Sequence, residues 1–565
     1  MKSIEFSYRN LRVFAFGYLL LPVLIFLVFN VKRLISFPVA LILIAVYLFA
    51  IKERNGTVKE ERKFTMPISF FWIFLVICAI WCYMGGQGGL YYQTSDWNER
   101  NAIFRDLISN NWPVYYPSTN TVMTYYIGHW LPAAFLARAL FLATSNQALA
   151  FSVGNIFLAI WTLIGVMITL LLQLYSANPK TKKGMWLVLA LLIGFSGMDI
   201  VGYIIKNPTF ANAFEVLHLE WWAEHSQFSS NTTCLFWVFN QVIPAWITTL
   251  CFANEKTNRN YVFIISTALL SATLPCVGVA ILMLGKAGIE LINSIRLGIW
   301  KSYFKETFGF SNLATLFSWV PIICLYLISN SAFKNTGSQN HVVPWVMPTR
   351  MILAMILIGI AGVVLGIYWL NLRRKGKTDS PFLMGCSLLL IAMALFLSRS
   401  RYMAFGYFLL LALECGIHWL LLAKDHYRKP LFYITAFLLI IGPCIRVGIG
   451  ADFCMRVTIP AITLLTMACG QKLVPFIERN KEKPVKRWEK RCCIALIIVL
   501  LIGSVTPAVE IYRGIHKTVT AGKLVQPADQ IGTLNRYHTS GGIYGNFVSD
   551  DFEDSLFFKY LAQPR

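Results

Sequence analysis

Charged residues are scarce in this chain, and acidic residues are the scarcest. Charged residues make up 14% of the 565 residues, with 27 Asp and Glu against 50 Lys and Arg, whereas soluble domains carry about 25%. This scarcity excludes a string of soluble domains. Apolar runs of about 17 to 25 residues recur from residue 12 to residue 509, and each is long enough to cross a bilayer. We therefore expect one all-α polytopic membrane bundle over 1–510, with about 13 to 15 spans, followed by a short outer tail over 511–565.

Other familiar signals are also missing. No small-residue cleavage site follows the first apolar stretch, 13–29, which predicts a retained span rather than a signal peptide. The 13 cysteines show no metal-ligand spacing, and most lie inside apolar runs, where they behave as small hydrophobic residues. No internal repeat stands out. The net charge of +23 does not indicate nucleic-acid binding, because most Lys and Arg fall in short loops where positive charge sets membrane orientation.

The basic loops predict which side of the membrane each segment faces. We place at the cytoplasm the loops with clustered Lys and Arg, namely 52–63, 178–184, 254–260, 286–308, 371–380, 424–430 and 478–491. The spans between them alternate consistently if residues 126–142 form a partial or re-entrant helix, or if the hairpin with the next span is irregular. The outer face then gathers the segments that hold unusual polar residues: 85–125, 204–233, 330–349, 398–402, 447–456 and the tail.

Two of these outer segments hold arginines that a topology signal does not explain. Arg399 and Arg401 lie in a very short turn, and Arg456 follows Asp452 by four residues. An ionisable residue at membrane depth usually faces a cavity or a partner, and a planar guanidinium suits phosphate oxygens. These residues are therefore candidates to bind a lipid-linked phosphate. In the alternative, the arginines reach lipid headgroups, or Arg456 pairs with Asp452, as the i, i+4 spacing favours.

The first large outer loop, 85–125, contains the candidate catalytic residue Asp96. An amphipathic helix that lies along the surface is predicted over 98–111, with Arg100, Arg105 and Asp106 on its other faces, because one set of apolar residues shares a face: Ile103, Phe104, Leu107 and Ile108. Asp96 is a candidate general base. Its spacing to Glu99 is also typical of a helix start, with Asp96 as the N-cap. Glu99, Arg100 and His129 are candidate substrate-binding residues nearby.

The second outer loop combines acidic and aromatic side chains over residues 218–225. Glu220, Trp221 and Glu224 are candidate substrate contacts, and on a helix the two glutamates share a face that could hold a divalent cation such as Mg²⁺ or Mn²⁺. His218 and His225 lie two turns apart, about 10 Å, too far for one metal ion. The alternative is an interfacial aromatic belt with solvated acids.

The chain resembles the GT-C superfamily of membrane glycosyltransferases. The matching features are Asp96 in the first outer loop, the helix after it, and the Tyr-rich stretch Tyr125-Tyr126-Ile127-Gly128-His129-Trp130-Leu131-Pro132. Relatives of this kind include protein O-mannosyltransferases and the catalytic subunit of oligosaccharyltransferase. The chain is also similar to uncharacterised bacterial membrane proteins with stretches like Asp452-Phe453-Cys454-Met455-Arg456. It departs from the superfamily in having two spans before the acidic loop and Trp97, not a second acid, after Asp96.

The resemblance implies a hexosyl- or pentosyltransferase in a bacterial cytoplasmic membrane, with its active site facing outside. A sugar would move from a polyprenyl-phosphate-linked donor to a glycan, lipid or protein acceptor, with Asp96 as base and outer arginines on the phosphate. One base suffices for this transfer because the phosphate is already a good leaving group. Glycoside hydrolysis, by contrast, uses two carboxyl groups. A transporter or flippase for a lipid-linked sugar and a polysaccharide polymerase are the alternatives. Membrane lipids surround the protein, and no nucleic-acid partner is expected.

Overall fold

A computed structural model of the chain describes residues 2–53, 62–207, 218–223, 226–331, 349–376, 382–397, 407, 409–445, 451–479, 487–521, 532–540 and 544–564. Its α-helices are, in chain order, α1 (Tyr8–Asn30), α2 (Arg33–Lys52), α3 (Ile68–Met84), α4 (Trp97–Ser109), α5 (Leu131–Thr144), α6 (Gln147–Ala177), α7 (Lys182–Gly194), α8 (Asp199–Lys206), α9 (Asn231–Asn254), α10 (Tyr261–Arg296), α11 (Trp300–Thr307), α12 (Phe310–Ser318), α13 (Val320–Ile328), α14 (Thr349–Arg374), α15 (Phe382–Leu397), α16 (Ile417–His426), α17 (Pro430–Ile441), α18 (Asp452–Ile477), α19 (Arg487–Gly503) and α20 (Val505–Ala521).

Several helices begin where the sequence offers a side chain that accepts a backbone N–H of the first turn. Such caps satisfy amide groups that have no partner inside the helix. The described N-caps of this kind start α1, α6, α7 and α9, and they are Ser7, Asn146, Thr181 and Ser230. Polar residues at these positions therefore set the ends of otherwise apolar segments.

The membrane character of the fold is confirmed. Within the described ranges, nine helical segments are long and apolar enough to cross a membrane, and three shorter apolar helices accompany them. The helix α5 has 14 residues, fewer than the roughly 20 that a crossing needs, in keeping with the partial helix expected over 126–142. The all-α polytopic bundle is thus the observed architecture, while a total of about 13 to 15 spans stays a prediction.

The helices are arranged around a buried centre. The most apolar stretch of α9 is 100% buried and that of α18 is 89% buried, whereas that of α2 is only 28% buried. Large apolar side chains are strongly exposed on outer helices, as with Leu34 on α2 and Phe317 on α12. A soluble protein rarely exposes apolar surface on this scale, so the helices at the periphery of the bundle are suited to contact lipid.

Two small sheets complete the fold, and the sequence did not predict them. Strands β1 (Ser3–Ser7) and β2 (Lys63–Pro67) pair antiparallel. Strands β3 (Tyr115–Tyr116) and β4 (Thr121–Met123) form a hairpin in the first outer loop, and β5 (Val548–Ser549) from the C-terminal tail pairs with β4. The tail is therefore bound to the first outer loop by backbone hydrogen bonds.

A buried ion pair joins the start of α1 to the end of α9. The Nε atom of Arg12 lies 3.1 Å from Oε1 of Glu255, and both side chains are 1% exposed. The Tyr8 hydroxyl lies within hydrogen-bonding distance of the same carboxylate oxygen at 3.0 Å, and Arg12 also donates to the carbonyl of Glu53 just after α2. One guanidinium thus connects three helix ends.

We expect Glu255→Ala to lower the free energy of unfolding by about 3–5 kcal/mol, because Arg12 would remain buried without its carboxylate. The matched control is Glu5→Ala, which removes a 2.7 Å pair with Lys63 whose side chains are more than half exposed, and which should cost about 0–1 kcal/mol. Unfolding of the two purified variants in detergent measures the difference. Equal losses would show that burial does not set the strength of the Arg12 pair.

Candidate functional site

Helix α4 carries the predicted catalytic residue at its start and is close to its predicted extent. It covers Trp97–Ser109, compared with the expected 98–111. Its apolar face packs into the bundle, where the Phe104 ring lies 5.9 Å from the ring of Phe151 on α6. The spacing of apolar residues therefore correctly predicted the helix and its buried face.

The polar faces of α4 are more buried than the polar faces of a helix on a membrane surface would be. Arg100 and Asp106 were expected away from the apolar face, yet they are 6% and 1% exposed. Asp106 is covered because its Oδ2 accepts hydrogen bonds from the Tyr116 hydroxyl (2.7 Å) and from the backbone N–H of Leu534 (2.8 Å). The C-terminal tail thus covers a helix that the sequence predicted to lie along the surface.

Asp96 does not cap α4 with its side chain, so that alternative from the sequence is wrong. The residue has helical backbone angles and makes no side-chain cap hydrogen bond. Its Oδ2 instead accepts from Nη2 of Arg100 at 2.8 Å, with the carboxylate side chain 47% exposed and that of Arg100 only 7% exposed. A charged partner four residues away outcompetes the neutral amides of the first turn for this carboxylate.

The same arrangement recurs at the start of α18. Oδ2 of Asp452 lies 3.1 Å from Nη2 of Arg456, with side-chain exposures of 52% and 14%. This i, i+4 pair confirms the internal pairing that the sequence favoured. Each pair thus combines an accessible carboxylate with a mostly buried guanidinium.

Both pairs act electrostatically on one phenol, Tyr125, which is partly buried. Burial raises the pKa of Tyr125; Arg456 and Arg100 lower it, and Asp452 and Asp96 raise it. All four charges, from helices more than 300 residues apart, therefore lie within electrostatic range of a single hydroxyl. We call these five residues the charge cluster. The sequence contained Tyr125 only as part of a Tyr-rich stretch and gave no signal for its position.

Both arginines of the charge cluster keep a buried donor that no protein group satisfies. Nη1 of Arg100 and Nε of Arg456 are inaccessible to solvent and have no hydrogen-bond partner. A buried N–H group without a partner is costly, by about 1–3 kcal/mol or more for a charged group. A phosphate oxygen that reached either donor would remove this cost, which requires the side chains around that donor to move apart.

Phe239 on the central helix α9 packs beside the charge cluster. Its ring stacks on Trp97 at 4.8 Å, meets His129 at 5.3 Å, and lies 5.8 Å from the Arg100 guanidinium carbon. The preceding residue, Val238, has non-helical angles within α9. Sequence reasoning missed Phe239, because nothing in an apolar span distinguishes one phenylalanine from its neighbours.

The remaining predicted residues of the first loop lie around the cluster. Glu99 is half buried next to the first pair; burial raises its pKa, and so does Asp96, while Arg100 lowers it. His129 is 1% exposed, and its Nε2 lies 3.1 Å from the Thr162 hydroxyl. Glu99 thus lies beside the charge cluster and is partly accessible, whereas His129 is enclosed by protein.

The predicted acidic and aromatic residues of the second outer loop differ in their exposure. Glu220 is buried, and its carboxylate accepts hydrogen bonds from Gln227, Ser229 and the backbone of Ser230. Trp221 is 49% exposed, so it remains accessible to a ligand. Glu220 is therefore held by protein donors and is not the solvated acid that the alternative for this loop assumed.

Three predicted site residues, Glu224, Arg399 and Arg401, lie outside the described residues. Among those that the structure does describe, no group of three or more His, Cys, Asp or Glu side chains could hold a metal ion. Of the arginines predicted to contact a substrate, the structure describes Arg100 and Arg456.

Comparison with known proteins adds no family. No protein-family model, no curated protein and no solved structure matches the chain. The likeness to GT-C glycosyltransferases therefore rests on the residues of this chain alone.

The contact between Asp106 and the tail predicts a pH dependence. Burial raises the pKa of the Asp106 carboxyl group from 3.8 to about 6, although its hydrogen bonds to Leu534 and Tyr116 lower it. A carboxyl group with a raised pKa contributes stability below its ordinary pKa, and that contribution is lost as the pH rises through about 6. We expect hydrogen exchange of the tail near Leu534 to become faster between about pH 4 and about pH 6, beyond the intrinsic dependence of exchange on pH.

The variant Asp106→Asn keeps an acceptor oxygen and should remove this additional pH dependence. Asp554→Asn, at an exposed position of the same tail, should retain it. Mass spectrometry of the exchanged protein measures both variants. An identical pH profile in the wild type and Asp106→Asn would contradict the assignment to Asp106.

Proposed function

We propose that this chain is a GT-C-like membrane glycosyltransferase that moves a sugar from a polyprenyl-phosphate-linked donor to an acceptor outside the cytoplasm. The observation that carries the proposal is the pair of buried arginines, Arg100 and Arg456, each with an unsatisfied donor next to an accessible aspartate. Such a site suits a substrate that brings a phosphate and a hydroxyl group together.

In this proposal the arginines bind the phosphate of the donor. A guanidinium presents several N–H groups in one plane and remains protonated, so it stabilises the charge that develops on the departing phosphate. Arg100 and Arg456 come from different helices and approach Tyr125 from different parts of the chain. Each of them is also paired with an aspartate, so a bound phosphate shares the two guanidinium groups with Asp96 and Asp452.

Asp96 acts as the general base. It takes the proton from the acceptor hydroxyl as that oxygen attacks the anomeric carbon, while the bond between this carbon and the phosphate oxygen breaks. The hydrogen bond from Arg100 holds the carboxylate in one position. A bound phosphate competes for Arg100 and so frees an oxygen of Asp96 for the acceptor hydroxyl, which links proton removal to the presence of the donor.

The matched pair of aspartates provides the test. In Asp96→Asn the amide keeps a hydrogen bond to Arg100 but cannot accept a proton, so we expect transfer to fall about 100-fold or more. Asp452→Asn changes the same chemistry at the second pair and should cause a smaller loss. Mass spectrometry of lipid-linked sugars and surface glycans in the native host, at equal protein level, measures both.

The possible results have distinct meanings. Accumulation of a lipid-linked sugar in Asp96→Asn, together with loss of one sugar from a glycan, supports the proposal and names the sugar. A larger loss in Asp452→Asn would transfer the role of base to Asp452. Unchanged profiles in both variants would contradict transfer at this site.

A conservative change tests phosphate binding. Arg456→Lys keeps the charge but removes the planar fork, and we expect it to weaken binding of undecaprenyl phosphate about 10- to 100-fold. The control is Arg373→Lys, at an exposed position at the end of α14. Binding to purified protein in nanodiscs is the measurement. Equal affinity in both variants would exclude Arg456 as a phosphate ligand.

A second candidate function is transport of a lipid-linked sugar coupled to protons. It is favoured by three buried acidic residues, Asp199, Glu220 and Glu414, since buried carboxyl groups in membrane proteins often mark proton pathways. A transporter should tolerate Asp96→Asn far better than a transferase, so the same experiment separates the two functions.

A further inference from the structure

A pocket opens where the C-terminal tail meets the turn between α1 and α2. Its volume is about 330 Å³, near the lower limit for small-molecule sites and enough for about one or two sugar units. Three separate parts of the chain line it, namely Lys32 from the turn, Tyr115 from β3, and residues of the tail between Phe552 and Pro564. We call it the tail pocket.

The walls of the tail pocket are held in place by backbone hydrogen bonds. Lys32 donates its backbone N–H to the carbonyl of Leu561 at 2.7 Å, and Gln563 donates its own to the carbonyl of Asn30 at 3.0 Å. The side-chain amide of Gln563 donates to the carbonyl of Val31 at 2.9 Å. A ligand would therefore enter a pocket whose shape is already set, which lowers the entropy lost on binding.

The floor of the pocket is aromatic. The Phe552 ring lies 5.5 Å from that of Tyr115 and 5.9 Å from that of Phe558. Aromatic rings offer flat, weakly polar faces, and the C–H groups of a sugar ring pack well against such faces. Polar groups at the rim, including Gln563 and Glu553, can bond to hydroxyl groups. This mixture fits a saccharide better than a purely apolar ligand.

The charges at the rim favour a negative ligand. Two lysines, Lys32 and Lys559, line the pocket, against one glutamate, Glu553. Complementary charge mainly determines which ligand a site selects. A saccharide with a carboxylate or phosphate group therefore fits this rim better than a neutral one.

The tail pocket is connected to the charge cluster through the small sheet. The tail strand β5 pairs with β4, and just before it Phe547 accepts a hydrogen bond from the backbone N–H of Thr124 at 3.0 Å. The Phe547 ring lies 4.8 Å from the ring of Tyr125. One part of the tail thus forms the pocket, and another part holds the central tyrosine of the cluster.

We propose that the tail pocket binds an acidic saccharide, and that this saccharide belongs to the acceptor. The second half of the proposal rests on the transferase function above. An acceptor held by an acidic sugar unit in the tail pocket would be fixed relative to the charge cluster, because both sites share the tail.

The test is binding of a chosen probe to the full chain. The probe is tri-galacturonic acid, the neutral control sugar is maltotriose, and the protein is in phosphatidylcholine nanodiscs, with binding observed by saturation-transfer NMR. We expect tri-galacturonic acid to bind and maltotriose to bind more weakly. Lys32→Gln and Lys559→Gln should each weaken binding of the acid about 10-fold, and Lys490→Gln, exposed on α19, should not change it.

Several outcomes would overturn the proposal. These are no binding of tri-galacturonic acid, equal binding of the two sugars, or affinity that is the same in the two pocket variants and the control. Displacement of the sugar by phosphatidylglycerol in the nanodisc would assign the pocket to a lipid headgroup instead. The folded state of each variant is checked by its melting temperature.

This experiment also separates the two proposals. Asp96→Asn should retain binding of the probe, because Asp96 does not line the tail pocket. Probe binding without any sugar transfer by the wild type would retain the pocket and reject the transferase function. Transfer without probe binding would retain the transferase function and reject the tail pocket as a saccharide site.

Discussion

The structure depends on the burial of positive charge next to negative charge at the ends of helices. A guanidinium is expensive to bury unless a carboxylate and hydrogen-bond acceptors surround it. Among the described residues, this requirement is met where Arg12 lies beside Glu255, where Arg513 lies beside Glu510, and in the two pairs of the charge cluster. The carboxylates beside Arg12 and Arg513 are buried, whereas those of the cluster remain accessible. That difference separates pairs that hold helices together from pairs that a ligand can reach on their acidic side.

The sequence predicted those features that depend on local spacing. The apolar repeat gave α4 to within two residues at each end, and the i, i+4 spacing gave the pair of Asp452 with Arg456. The same spacing links Asp96 to Arg100, yet the residues there also fit a capping signature, and local rules alone could not choose between the two. The structure decides it because Arg100 is buried and needs a charged partner.

Contacts between distant parts of the chain were beyond the reach of the sequence. Leu534 follows Asp106 by 428 residues, and no periodic pattern relates the two. The same holds for Tyr125, whose importance comes from charges that are brought to it by α4 and α18. The fold class could be read from composition because lipid imposes it on every span. The site could not, since it depends on how the helices and the tail pack.

The strand that the tail adds to the first outer loop has a consequence for biogenesis. A chain is made from its N-terminus, and its early helices enter the membrane before the last residues exist. The hairpin of β3 and β4 must therefore wait, with one edge unpaired, until β5 has been synthesised. Helix α18 is also made late, so the arginine and aspartate of the second pair arrive after the first. The cluster is thus complete only after α18 has been made, and a chain released before that point would hold the first pair without the second.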